Sequence, residues 1–256
     1  NATAHWDEDD RIKVWTSTQG AFPVRTSTAA ILDMDVSRIK VTPLEIGGGF
    51  GGKIPVYLEP VVSILSKISG RPVKAIMERS NVFQASGPAP GGTITVKMGT
   101  DKDANIIAAE TSIKLEAGGF PGAAVGAAVQ CIFAPYDIPN TRIDGYDIVV
   151  NKPKSAAYRA PGSPQAAFAA ETVSDELARI HNMDPIDFRL QNASKEDTRR
   201  ADGVVFPKIG NVEVLEAAKA SDHWKSDLGT PPKGRVRGRG VASGYWFNVG
   251  LKSAVS

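Results

Sequence analysis

The chain has 256 residues with 30 Lys and Arg against 28 Asp and Glu, a formal charge of +2, so it lacks the field of a general nucleic-acid binder. That length can bury one large core or two modest ones without staples. A single cysteine, Cys131, excludes an intrachain disulfide, a cysteine-rich zinc site and a cysteine-ligated iron–sulfur cluster. No apolar stretch reaches the ~20 residues of a membrane span, and the start NATAHWDEDD has neither a basic nor an apolar leader region. A reducing cytoplasm suits this composition. The missing initiator methionine and the strand-like runs near both ends, the last at residues 245–249, are read as a chain cut from a longer polypeptide.

In chain order, residues 11–16 (RIKVWT) alternate and predict a strand, and residues 23–32 predict a helix with Val24, Ala29 and Leu32 on one face. Residues 38–46 read as a strand with Ile39, Val41 and Leu44 inward. A glycine run follows, then a helix over 55–69 ended by Gly70, then a strand over 73–77. From residue 93 the pattern changes to a β-hairpin around the polar turn 101–105 (DKDAN). The small residues 118–128 predict either a tightly packed helix or backbone beside a ligand, packing being the safer reading. Residues 142–150 predict a strand. Residues 164–181 carry the strongest helical pattern, with Phe168, Ala169, Val173, Leu177 and Ile180 as its core face. Short helices at 185–191 and 212–220 and a strand-like tail from 236 complete the reading, with 233–239 (KGRVRGR) taken as a charged turn. Helices alternating with strands early and hairpins later predict an α+β fold, two-layer with mixed, partly antiparallel sheets. A soft boundary at 87–92 separates lobes 1–87 and 88–256.

The run 47–53 (GGGFGGK) lies between a predicted strand and a predicted helix, where backbone N–H groups can receive a phosphate or other oxyanion. It satisfies both the P-loop and the dinucleotide glycine templates, so neither is discriminating. A P-loop needs Ser or Thr next and finds Ile54; Glu78 keeps the dinucleotide reading open. The histidines His5, His181 and His223 show no paired metal-ligand spacing.

Three segments together are more specific: VWTSTQ at 14–19, IGGGFGGK at 46–53 and AYRAPGSPQ at 157–165, with weaker markers YDIPN at 136–140 and MDPIDFRLQN at 183–192. In order and spacing they resemble the large, molybdenum-cofactor-binding subunit of the xanthine dehydrogenase and aldehyde oxidase family. The resemblance implies a molybdenum-cofactor-binding-domain-like fold and a molybdenum–molybdopterin cofactor, with the cytosine dinucleotide as one form of the pterin. By the same resemblance Gln19 donates to the apical oxo group, Gly48, Gly49, Phe50 and Gly51 flank the metal's ligands, and Arg159 sits on a neighbouring loop. The activity implied is hydroxylation of an aldehyde or N-heteroaromatic carbon with water-derived oxygen, electrons leaving through iron–sulfur and FAD groups on partner subunits or domains.

Departures narrow the expectation. Where purine-oxidising members carry a glutamate after the glycine motif, this chain has Ile54; where the carbon monoxide dehydrogenase branch places a copper-binding cysteine after the loop arginine, it has Ala160; and Pro161 replaces a stacking phenylalanine. The family's catalytic glutamate belongs to a later segment, so no catalytic residue is named here. Two alternatives stand beside this reading: an isolated, non-catalytic fragment, and a nucleotide-phosphate-binding module.

Overall fold

Alternation at the start of the chain yields an antiparallel pair, β1 (Ala2–Trp6) with β2 (Ile12–Thr16), in which Ala4 lies opposite Val14. β3 (Ile39–Pro43) adds to β2 in parallel and β4 (Val73–Ala75) to β1 antiparallel, giving the order β3-β2-β1-β4. One sheet face, Ala2, Ala4, Trp6, Ile12, Val14 and Ile39, is buried with Ala29 and Val62 of the helices α1 (Ala21–Leu32) and α2 (Glu59–Ser69). Full burial of each larger aliphatic there contributes roughly 1.5–3 kcal/mol. Val24 and Ala29 of α1 face inward as their spacing predicts. β3 stops at Pro43, so Leu44, expected inside, is 47% exposed.

The computed structural model describes residues 1–247. They fall into two units, one of Asn1–Pro90, Glu116–Ala123 and Ile148–Arg159, the other of Gly91–Leu115, Ala124–Asp147 and the chain from Ala160 onward. The division is not a single cut, because the ends of β6 (Ile106–Gly118) and β7 (Thr141–Val149) belong to the first unit.

In the first unit α2 begins at Glu59 rather than at residue 55. Turns continue through residues 50–53, and Pro60 takes a first-turn position, where its missing N–H costs nothing. α2 turns Ser63 and Ser66 toward the core and leaves Val61, Ile64, Leu65 and Ile68 exposed. The small serines allow close approach to β1, where the Ser66 hydroxyl accepts from Trp6 N at 2.9 Å. A short helix that the sequence pattern does not predict, α3 (Arg79–Ala85), follows β4, and Glu78 caps it in a capping box with Asn81.

In the second unit β5 (Gly92–Thr100) and β6 form the expected hairpin. The Asp101 carboxylate closes its turn by accepting from the amides of Asp103 and Asn105, each at 2.9 Å. α4 (Val125–Cys131) fills part of the small-residue tract, and the long α5 (Ser163–Ile180) follows. Its inward face is only partly the one expected: Leu177 is buried and Ala169 and Val173 are half-buried. Phe168 and Ile180 are exposed, while Ala166, Ala170, Glu171, Ser174, Leu177 and Ala178 are buried.

The reason for that rotation is an ion pair. Arg189, on α6 (Pro185–Gln191) and 0% exposed, donates to Glu171 at 2.8 Å and pairs with Asp175 at 2.8 Å, though outside linear hydrogen-bond geometry to the latter. The Tyr136 hydroxyl and the Ser243 amide donate to the same Glu171 carboxylate. Turning Glu171 outward would strand a buried guanidinium, a larger loss than exposing Phe168. α7 (Asn211–Ala220) and α8 (Asp222–Lys225) complete the unit, Leu215 packing with Ile186 and Ala193. The strand expected from residue 236 is not formed over 236–247, and residues 248–249 of the last strand-like run lie outside the described residues. In the basic run a turn at 233–234 and bonds from Arg237 to the Leu228 carbonyl and from Arg239 to the Trp224 carbonyl fit a charged turn. No helix among the described residues is long and apolar enough to cross a membrane.

Candidate functional site

β2 ends at Thr16 and hands the chain to Ser17, Thr18 and Gln19; β3 ends at Pro43 and leads into the glycine run. Because β2 and β3 are parallel neighbours, both exits emerge at one edge of the sheet, outside the strands' carboxyl ends. The two segments are stitched together there. Gln19 N donates to the Lys53 carbonyl at 3.0 Å, Thr18 Oγ1 to the same carbonyl at 3.1 Å, and Ser17 Oγ to the Ile46 carbonyl at 3.1 Å.

The Gln19 side chain organises the loop. Its Oε1 accepts from the amides of Gly51 at 2.8 Å and Lys53 at 3.2 Å. With the oxygen committed to two N–H donors, the carboxamide's own N–H₂ is left to donate elsewhere. Gly49 lies flat against it: a Cβ there would stand 2.4 Å from Gln19 Cδ.

A third segment closes the arrangement from the far side. Arg159 N donates to the Phe50 carbonyl at 2.9 Å, and the Ala157 carbonyl would lie 2.4 Å from a Cβ on Gly51, whose φ of +95° already disfavours any L side chain. Phe50 itself holds φ 51°, a left-handed conformation costing a non-glycine residue roughly 1–2 kcal/mol. The Arg159 bond and the Gln19 clamp on the next residue offset that strain. Phe50 is 61% exposed, and the Arg159 side chain is exposed too.

The structure thus brings Gln19, Gly48, Gly49, Phe50, Gly51 and Arg159 into one neighbourhood of the first unit. The loop's amides divide into two sets. Those of Gly51, Gly52, Lys53 and Ile54 donate to Gln19, Gly49 and Gly51 within the loop. Those of Gly47, Gly48, Gly49 and Phe50 find no acceptor among the described residues. Four consecutive N–H groups without a protein acceptor must be met by water or a ligand, and an anionic or oxo-bearing group suits them. Gly51, grouped by sequence with the ligand-facing glycines, directs its amide inward to Gln19 instead.

Lys53 does not behave as a phosphate-binding lysine. Its Nζ donates to Ser17 Oγ at 3.0 Å and to the Ile46 carbonyl, pulling the ammonium back to the strand ends. Of the acids near the glycine run, Glu45 is exposed and Glu78 caps α3, whereas Glu59 is buried. Nothing in the sequence singles out Glu59, since an acid at a helix start is ordinary. Ala157 stands out there only as part of its motif, because its carbonyl contact depends on a loop some hundred residues away. Among the histidines, His181 faces Thr100 Oγ1 at 2.7 Å within the second unit, and no group of three or more His, Cys, Asp or Glu among the described residues could hold a metal ion.

Comparison with known proteins agrees with this architecture. The family model described as molybdopterin cofactor-binding domain matches residues 1–193. The chain is 30% identical over 221 residues to the nicotinate dehydrogenase large molybdopterin subunit of Eubacterium barkeri, covering 84% of this chain and 52% of that protein. It is 30% identical over 258 residues to the aldehyde oxidoreductase molybdenum-binding subunit PaoC of Escherichia coli (strain K12), covering 98% and 34%. Among solved structures, quinoline 2-oxidoreductase from Pseudomonas putida 86 superposes with a TM-score of 0.78 at 25% identity, covering 85% of this chain and 29% of that one. The chain therefore spans about half, or less, of the length of these relatives.

Proposed function

Since the chain belongs to the molybdopterin cofactor-binding domain family, whose model covers residues 1–193, we propose that the cradle of Gln19, Gly48, Gly49, Phe50, Gly51 and Arg159 holds a molybdenum–molybdopterin cofactor. The observation that carries this reading is the set of four amides, Gly47 to Phe50, that find no acceptor among the described residues, beside a carboxamide whose N–H₂ has no acceptor among them either. Gln19 and these amides would donate to the oxygen and sulfur ligands of the metal; Gly51, Ala157 and Arg159 N would fix the loop; Phe50 would wall the site. When bound, the group supplies two-electron redox chemistry for hydroxylating an aldehyde or N-heteroaromatic carbon with oxygen from water. The chain's own residues bind and orient it. In this reading the base comes from a part of the parent protein beyond these residues.

The electrons must leave through other groups. With Cys131 as the one cysteine, this chain cannot itself ligate a four-cysteine iron–sulfur cluster; in this reading iron–sulfur and FAD groups sit on partner subunits or domains of a cytoplasmic complex. Metal analysis of the protein made in a molybdopterin-producing host tests the proposal. Molybdenum and pterin should copurify, and Gly49→Val should lose both by driving Gln19 from the loop. A metal-free, pterin-free preparation would refute it. Mass spectrometry of the released pterin tells plain molybdopterin from its cytosine dinucleotide.

A further inference from the structure

Within the first unit, the ammonium of Lys53 is linked to the glycine loop through a peptide group. Ile46 C=O and Gly47 N–H belong to one peptide, and the Ile46 oxygen accepts from both Lys53 Nζ and Ser17 Oγ, the latter at 3.1 Å. The Gly47 N–H at the other side of that peptide is the first of the four that find no acceptor among the described residues. A donor at a carbonyl draws electron density from the peptide nitrogen and makes its N–H a stronger donor, most of all when the donor at the carbonyl is charged. The last of the four is backed in the same way: Gly49 O, in the peptide that carries Phe50 N–H, accepts from Gly52 N at 2.8 Å.

The fold fixes Lys53 at its backbone and at its side-chain tip. Its N–H donates to Gln19 Oε1 at 3.2 Å, and its carbonyl accepts from Gln19 N at 3.0 Å and from Thr18 Oγ1 at 3.1 Å. From there the half-buried side chain turns back to Ile46, seven residues upstream, and Ser17 Oγ accepts another ammonium N–H at 3.0 Å. Both acceptors are neutral, and no carboxylate pairs with Lys53 among the described residues. The charge is therefore not cancelled by a partner among them, and in a half-buried position it is screened less than it would be in water.

We infer that Lys53 is a positioning residue of the cradle: through the Ile46–Gly47 peptide, its charge strengthens the Gly47 N–H toward an oxyanion or oxo group. That role accounts for a lysine at the end of a glycine run whose ammonium is drawn back to the strand ends, where it adds positive charge behind the loop. Taking the ligand as the molybdenum cofactor rests on the proposed function. The strengthening of Gly47 is a property of this chain alone and does not need the cofactor.

Nuclear magnetic resonance on the cofactor-free protein at low ionic strength tests it, with molybdate as the oxyanion probe. In Lys53→Met the Gly47 amide nitrogen resonance should move upfield, while the Gly51 amide, bonded to Gln19, keeps its protection from exchange; the pair of readings separates lost polarisation from a loosened loop. Molybdate should shift the Gly47 to Phe50 amides of the parent, bind Lys53→Met at least about threefold more weakly, and regain most of that affinity in Lys53→Arg. Should Lys53→Met fail to fold, Lys53→Gln keeps an N–H donor without the charge and should show the same weakening. Parent amides that ignore molybdate, a Gly47 resonance unmoved in Lys53→Met, neutral variants that bind molybdate as tightly as the parent, or lost Gly51 protection in a folded Lys53→Met would overturn the inference. A parent made metal-free and pterin-free in a molybdopterin-producing host that still shows the Lys53 dependence refutes the cofactor reading alone; a molybdenum-loaded parent whose cofactor-free form lacks that dependence refutes this inference alone.

Discussion

Replacing Gly51 with alanine isolates how the glycine loop is held. At φ +95° an L residue is strained by roughly 1–3 kcal/mol. The new Cβ would also lie 2.4 Å from the Ala157 carbonyl oxygen and 2.7 Å from its carbon, backbone atoms that cannot swing away as a side chain would. Overpacking of that kind adds about 1–3 kcal/mol. Gly47→Ala is the control: its φ is +65° and nothing lies within 4 Å of where the new methyl would stand, so it incurs only the left-handed strain of about 1–2 kcal/mol. Urea unfolding followed by tryptophan fluorescence, with Trp6 and Trp15 in this unit, reads the difference. With a slope of about 1–3 kcal/mol per molar urea, Gly51→Ala should lower the midpoint by about 1 M or more and Gly47→Ala by less than half as much. Hydrogen exchange at the Arg159 amide, bonded to the Phe50 carbonyl, should quicken only in Gly51→Ala. Equal midpoints, or an unchanged Arg159 amide, would show that contact with Ala157 does not hold the loop.

Gly49→Ala meets the flexible end of Gln19 instead, so its stability cost should stay within about 1–3 kcal/mol, the worth of two hydrogen bonds, while molybdenum retention falls sharply on metal analysis. Arg189→Met should destabilise the second unit by about 3–5 kcal/mol in thermal unfolding by leaving Glu171 buried without a cation, and adding Glu171→Leu should recover much of the loss. Burial, then the neighbouring Glu171 charge, pushes the Tyr136 hydroxyl well above the ordinary tyrosine range. A raised folded-state value means the stabilisation is complete below the unfolded value of about 10 and declines as pH rises through and beyond it. Denaturation curves between pH 8 and about 11 should therefore steepen in the parent and flatten in Tyr136→Phe; identical alkaline limbs would contradict this.

Sequence alone determined what depends on neighbours along the chain. The alternation of residues 11–16 fixed β2, Gly70 at φ +63° stopped α2, and DKDAN closed the β5–β6 hairpin, because period, cap and turn are local choices. The motifs holding Gln19, Gly48 to Gly51 and Arg159 were also legible, as were Ile54 and Ala160 as departures. Tertiary structure decided which face of α5 is buried, since hydropathy favoured Phe168 while the Arg189 guanidinium required Glu171 inside. It likewise delayed α2 to Glu59 and turned its serines inward, where close approach to β1 mattered more than apolar area. At the loop, only the fold could say which amides are committed and which are free. That partition depends on a carboxamide 32 residues upstream of Gly51 and a carbonyl on the Ala157 segment, contacts that no local pattern encodes.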